Sequence, residues 1–192
     1  LLASTLPTTA SAWSPNGNEL ARIVTDQMGG TRLEIIKLSN WYSRTIFVRP
    51  GITALSWIKP DKLLVAEGPR IISINLSEET IVTEFEWETA ARFLLYGSDD
   101  FYPSIVHISC LEEKRVIEVR WHRQGKTAIS SIYQWLESEL SHMSMLDSHR
   151  YPILLRNKQM LLSTDEGIVG VNEKGERLWM RPIPGLISAV PC

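Results

Sequence analysis

The sequence predicts an almost all-β chain built from repeats of short strands, and three observations carry that prediction. Short apolar runs rich in Val, Ile, Leu, Trp and Thr recur at close intervals. Gly, Pro, Asn and Asp punctuate them, and helix signals are rare. With 192 residues the chain is read as one domain over 1–192, long enough to bury about 70% of the surface of its unfolded form. Apolar residues make up 44%, charged residues 22%, and the formal net charge is -2. That is the profile of an ordinary globular protein rather than a disordered one. It lacks the basic bias of a nucleic-acid binder, and no run of like charges exceeds three residues, so nucleic acid is not expected as a partner.

The strands are expected at Ala21 to Thr25, Arg32 to Leu38, Thr45 to Val48, Lys62 to Ala66, Arg70 to Leu76 and Ile81 to Phe85. One helix is expected. From about Ser130 to Met145, Leu136, Leu140 and Met143 fall at i, i+4 and i+7, enough for a short amphipathic face. It is read as a helical excursion between sheets, over 134–149.

A period of 20 to 50 residues marks solenoids and propellers, and one segment recurs here. Pro7-Thr8-Thr9-Ala10-Ser11-Ala12-Trp13 aligns with Pro50-Gly51-Ile52-Thr53-Ala54-Leu55-Ser56-Trp57 once one residue is allowed after the proline; Trp13 and Trp57 are 44 residues apart. Pro184-Gly185-Leu186-Ile187-Ser188-Ala189-Val190 is similar to the second copy. After each Trp comes a turn, Ser14-Pro15-Asn16-Gly17 and Ile58-Lys59-Pro60-Asp61, and each leads into a second apolar strand. Lys59 to Asn75 also echoes Asn157 to Asn172, with two strands meeting at a Glu-Gly turn in both. A weaker copy is read over Phe93 to Tyr133, its four strands being Phe93 to Tyr96, Ser104 to Ser109, Val116 to Trp121 and Ala128 to Tyr133. The count is about four sheets plus one extra strand. The chain begins without Met and stops inside what reads as a strand, so it is taken as a piece of something longer.

The segment Ala12-Trp13-Ser14-Pro15-Asn16-Gly17-Asn18-Glu19-Leu20-Ala21 resembles the inner-strand signature of Tol-type and WD-repeat β-propellers. Gly167-Ile168-Val169-Gly170-Val171-Asn172, followed by Gly175-Glu176-Arg177-Leu178-Trp179, is similar to the quinoprotein-type propeller repeat. No Trp-Asp dipeptide and no Gly-His pair occur, and Glu86 to Arg150 fits no repeat cleanly. The resemblance implies blades of four antiparallel strands around a channel. Four blades plus a strand imply an unusually small or an incomplete ring, and the incomplete one is preferred.

Little in the sequence points to chemistry. His107 and Cys110 form an isolated H-x-x-C pair without a second ligand pair, so no metal site is expected and His107 reads as a half-exposed strand residue. Asp99-Asp100 after Gly97-Ser98 reads as a turn. There is no Gly-x-Ser-x-Gly elbow, P-loop or dinucleotide glycine fingerprint, and no catalytic residue or cofactor is expected. The two cysteines, Cys110 and Cys192, exclude a disulfide framework. No window approaches 18 apolar residues, so no membrane insertion is expected. Arg115, Arg120, His122, Arg123 and Lys126 are interleaved with Glu112, Glu113 and Glu118 and read as a solvated face. Asn75-Leu76-Ser77 is a glycosylation sequon only in a eukaryotic secreted protein.

Of the seven tryptophans, Trp13, Trp57 and Trp179 sit at repeat positions and are expected to pack in the core. Trp41-Tyr42 follows Ser39-Asn40 in a turn between strands. Trp and Tyr are enriched at interface hot spots, which makes this pair the candidate protein-binding site. The function expected is therefore a non-catalytic interaction or scaffold module that binds another protein. The alternative is a propeller that carries or gates an enzyme active site, as in a quinoprotein-like dehydrogenase or a hydrolase accessory domain. A β-rich sandwich with Ser130 to Met145 as a packed helix is a third reading of the fold.

Overall fold

A computed structural model describes residues 8–86, 101–111, 114–123, 126–136, 139–146, 153–154, 159–164, 166–172, 174 and 176–183. They form sixteen strands in four sheets of four, and each sheet is a meander of consecutive antiparallel neighbours. Blade 1 holds β1 (Thr8–Trp13), β2 (Glu19–Thr25), β3 (Thr31–Lys37) and β4 (Tyr42–Val48). Blade 2 holds β5 (Ile52–Lys59), β6 (Lys62–Glu67), β7 (Arg70–Asn75) and β8 (Thr80–Glu86). Blade 3 holds β9 (Phe101–Leu111), β10 (Lys114–Arg123), β11 (Lys126–Leu136) and β12 (Glu139–Leu146). Blade 4 holds β13 (Ile153–Leu154), β14 (Met160–Thr164), β15 (Gly167–Val171) and β16 (Arg177–Pro182). The chain divides into two compact units, Leu1–Glu86 and Trp87–Pro191.

The six strands expected in the first half are all present as β2, β3, β4, β6, β7 and β8, with Leu38 and Leu76, expected to end two of them, lying one residue past β3 and β7. The two copies of the recurring segment become β1 and β5, the first strands of their blades, and Trp13 and Trp57 hold matching positions opposite Leu20 and Leu63. The extra strand expected at 184–190, together with Phe93 to Tyr96 and Asp99-Asp100, lies outside the described residues.

The helix does not form. Ser130 to Met145 is divided between β11 and β12, which pair from Ser130 opposite Leu146 to Leu136 opposite Glu139. Ser131, Ile132, Tyr133 and Trp135 are all buried, so β11 is covered on both faces. Leu136 ends β11 while Leu140 and Met143 lie on β12, so the helical spacing ran across two paired strands rather than along one element. The β-branched and aromatic content of Ile129 to Trp135 favours the strand. The third blade consequently begins and ends later than expected, and the strands read as its second, third and fourth are its first, second and third.

Unit 1 has its core between blades 1 and 2. Ala21, Ile23, Leu33 and Ile35 of blade 1 meet Leu55, Trp57, Leu63, Val65, Ile72 and Ile74 of blade 2. Leu64, Ala66 and Ile71, on the opposite face of blade 2, are also buried. This explains the near-continuous apolar runs of β6 and β7, because a blade must bury both faces. In unit 2, Val116 and Ile132 of blade 3 pack on Met160, Leu162 and Val171 of blade 4. The turns are where glycine is needed. Gly68 and Gly167, after the glutamate of each Glu-Gly turn, have φ of 60° and 140°. Gly170 lies under the Trp179 ring, where any Cβ would collide with the indole.

Candidate functional site

The turn that carries Trp41 and Tyr42 joins β3 to β4, the outermost strand of blade 1. Lys37 opposite Tyr42 is the last paired position. The turn is held by two bonds: the Asn40 Oδ1 accepts from the Tyr42 N–H at 3.0 Å, and the Leu38 N–H donates to the Asn18 carbonyl at 3.0 Å. The second bond ties it to the neighbouring β1–β2 turn, itself braced by Ser14, whose hydroxyl donates to the Asn16 Oδ1 at 2.7 Å and accepts from the Glu19 N–H at 2.9 Å. Closing the loop requires one residue with positive φ, and that residue is Trp41, at 54°.

Blade 2 has the same loop. Asn75 is opposite Thr80, and Glu79 holds the positive φ, also 54°. Asn75 Oδ1 accepts from the N–H and hydroxyl of Ser77, so the carboxamide of the sequon is engaged in the turn. The left-handed region costs a non-glycine residue about 1 kcal/mol or more. A bulky side chain there is uncommon. Glu79 at least is polar, whereas Trp41 is 71% exposed and Tyr42 62%. Neither packing nor backbone geometry accounts for a tryptophan at this position.

The other sequence candidates have different fates. Trp57 is 5% exposed, and its indole N–H donates to the Ala12 carbonyl at 2.9 Å, joining the two blades. Trp13 is not in the core but 48% exposed. Trp57 lies on the face of blade 2 that packs on blade 1, while the matching face of blade 1 points away from blade 2. Trp179, also expected in the core, is 37% exposed and covers Gly170 instead. Trp121 and Trp135, which no repeat argument singled out, are fully buried. Trp87 lies outside the described residues.

The basic segment of blade 3 is not simply a solvated face. The Arg115 guanidinium stacks over the Trp135 ring at 4.7 Å, and Glu118 is buried, opposite His107. His107 is partly buried, as expected of it. Among the described residues no group of three or more His, Cys, Asp and Glu could hold a metal ion. No helix of the described residues is long and apolar enough to cross a membrane.

The strongest electrostatic feature of unit 1 is Glu34, 5% exposed on β3. The Arg22 Nε and Nη2 donate to its Oε2 at 3.0 and 2.7 Å, and the Arg32 Nε donates to its Oε1 at 2.7 Å. Burial opposes ionisation of this carboxyl, but the hydrogen bonds and charges of the two guanidiniums outweigh it and hold the pKa below the ordinary glutamate value. Arg22 and Glu34 are cross-strand partners at the positions that Val65 and Ile72 occupy in blade 2.

No family model and no curated protein matches the chain. Solved structures do. The β-propeller domain of the Trilobed protease from Pyrococcus furiosus superposes with a TM-score of 0.56 at 18% identity, over 89% of this chain and 55% of that one. TolB from Acinetobacter baumannii gives 0.59 at 14% identity, over 92% and 44%. A puromycin-hydrolysing peptidase from Mycobacterium tuberculosis gives 0.62 at 14% identity, over 99% and 31%. The chain thus spans between about a third and just over half of the length of these proteins. At such identities the likeness is one of fold, and together with the four meandering sheets it makes this an all-β chain of β-propeller blades.

Proposed function

We propose that the chain is a non-catalytic interaction module of β-propeller type that binds another protein through the rim of blade 1 at Trp41 and Tyr42. The observation that carries this reading is Trp41 itself: a large apolar ring, 71% exposed, on a backbone position that favours glycine. Strain of this kind persists where function requires the side chain.

The reading makes stability and binding move in opposite directions. Trp41→Gly relieves the left-handed backbone and is expected to leave stability unchanged or raise it by up to about 1 kcal/mol. Combined with Tyr42→Ala, it is expected to weaken capture of the partner at least about thirtyfold, the effect of losing one hot-spot aromatic. The check is a quantitative pull-down from the source cells with mass spectrometry, alongside urea unfolding of the same variant. A partner retained equally by the double variant would remove Trp41 and Tyr42 from the interface.

A second reading is a propeller that serves an enzyme. Two of the likenesses above are to a protease's propeller domain and to a peptidase, which this chain covers only in part. Under this reading the captured protein is a hydrolase catalytic domain, and the same mass spectra identify it.

A further inference from the structure

The cations of unit 1 are distributed unevenly. Arg22 and Arg32 are bound to Glu34, Arg49 and Arg70 lie beside Glu67, and Lys62 meets Glu84 at 3.0 Å. Among the described residues of this unit, only Lys37, Arg44 and Lys59 lack a carboxylate within 4.0 Å. Two of these three adjoin the aromatic pair. Lys37 is directly opposite Tyr42, and Arg44 is opposite Ile35, the next same-face position of β3. Lys37, Tyr42 and Arg44 therefore share one face of the β3–β4 hairpin. Directly opposed side chains lie about 5 Å apart, and diagonal ones about 7 to 8 Å. All three are exposed. Glu19, the other cross-strand neighbour of Lys37, is the only acidic residue in this row, and it forms no ion pair there.

Two cations that form no ion pair, with one carboxylate, Glu19, opposite Lys37, lie on the face of the exposed Tyr42 ring next to Trp41, and they stand out on a chain whose net charge is -2. Its charge is complementary to carboxylates, and its rings to an apolar side chain. From this we infer that the site takes an acidic linear segment of a partner protein, with Asp or Glu flanking at least one apolar residue. The inference rests on the protein-binding reading of Trp41 and Tyr42. The carboxylates would meet Lys37 and Arg44 while the apolar residue lies on the rings, and the contact would weaken with salt because these charges are solvent-exposed.

The test presents the chain with three sets of short synthetic peptides: acidic ones with a central Leu or Phe, the same peptides with Lys and Arg replacing Asp and Glu, and neutral ones with Ser and Gln. Affinities are measured by fluorescence anisotropy at low and at raised salt. The acidic set is expected to bind, to weaken with salt, and to lose about tenfold in the K37E/R44E variant, whose patch charge is reversed. It should also be lost in the W41G/Y42A variant. If the acidic set binds W41G/Y42A as well as the unaltered chain, both this inference and the protein-binding reading fail. If W41G/Y42A loses binding but the neutral set binds equally well, or K37E/R44E changes nothing, the aromatic interface stands and the acidic partner is overturned. If the Lys and Arg set binds as tightly as the acidic one, or no set binds at all, the acidic partner is overturned too.

Discussion

Trp57→Ala is expected to destabilise unit 1 by about 4 kcal/mol, within the range for emptying a buried aromatic site. The indole sits in the apolar core between blades 1 and 2, in contact with side chains of both blades. Its N–H is also bonded to the backbone of β1. Truncation opens a cavity and leaves the Ala12 carbonyl without that donor. Trp57→Phe refills most of the space but not the bond, so it should cost clearly less. Urea unfolding monitored by far-UV circular dichroism measures both, and equal losses for Ala and Phe would show that packing contributes little. Trp13→Ala is the internal control: the same repeat position, but half exposed, with a correspondingly smaller loss.

The second large effect is expected at Glu34. Glu34→Ala leaves Arg22 and Arg32 facing each other without their shared carboxylate, and breaking a buried pair in this way costs about 3 kcal/mol. The pair Arg22→Val with Glu34→Ile copies the matching residues of blade 2 and removes both charges together. It should cost much less than the single change or even stabilise, because desolvation offsets much of what a buried ion pair gains. The pH dependence has a definite sign. A carboxyl whose folded pKa lies below its unfolded value stabilises the fold above the unfolded value. That contribution is lost as pH falls through the folded one. Stability should therefore drop on acidification below the ordinary glutamate range, and the Arg22→Val, Glu34→Ile chain should lose less over the same interval. Identical acid profiles for the two chains would exclude Glu34 as a source of the loss.

The fold was legible where the sequence carries local signals. Trp-Ser-Pro-Asn-Gly gives a strand end and a turn in a few residues, and the Glu-Gly turns place β6 against β7 and β14 against β15. The third blade was less legible because β11 is buried on both faces and loses the alternation that marks a strand. Burial of individual tryptophans was not readable from repeat position, because a repeat fixes which face a side chain points to but not what covers that face. That is why Trp57 is in the core and Trp13 is not. The Trp41–Tyr42 turn could be found from composition, since Ser39-Asn40 announces it. The positive φ of Trp41 and the sharing of one face by Lys37, Tyr42 and Arg44 needed the register of β3 on β4. Arg22 and Glu34 are 12 residues apart, and nothing local links them.

The meander also governs how a blade bears load. With four strands, the chain enters and leaves blade 1 in the same row: Thr8 is level with Val24, Val24 with Arg32, and Arg32 with Val48. Tension applied between those two points runs across the sheet, parallel to the interstrand hydrogen bonds. The bonds are then peeled in succession from one edge rather than sheared together, so a blade of this layout resists pulling weakly even where its side-chain core is well packed.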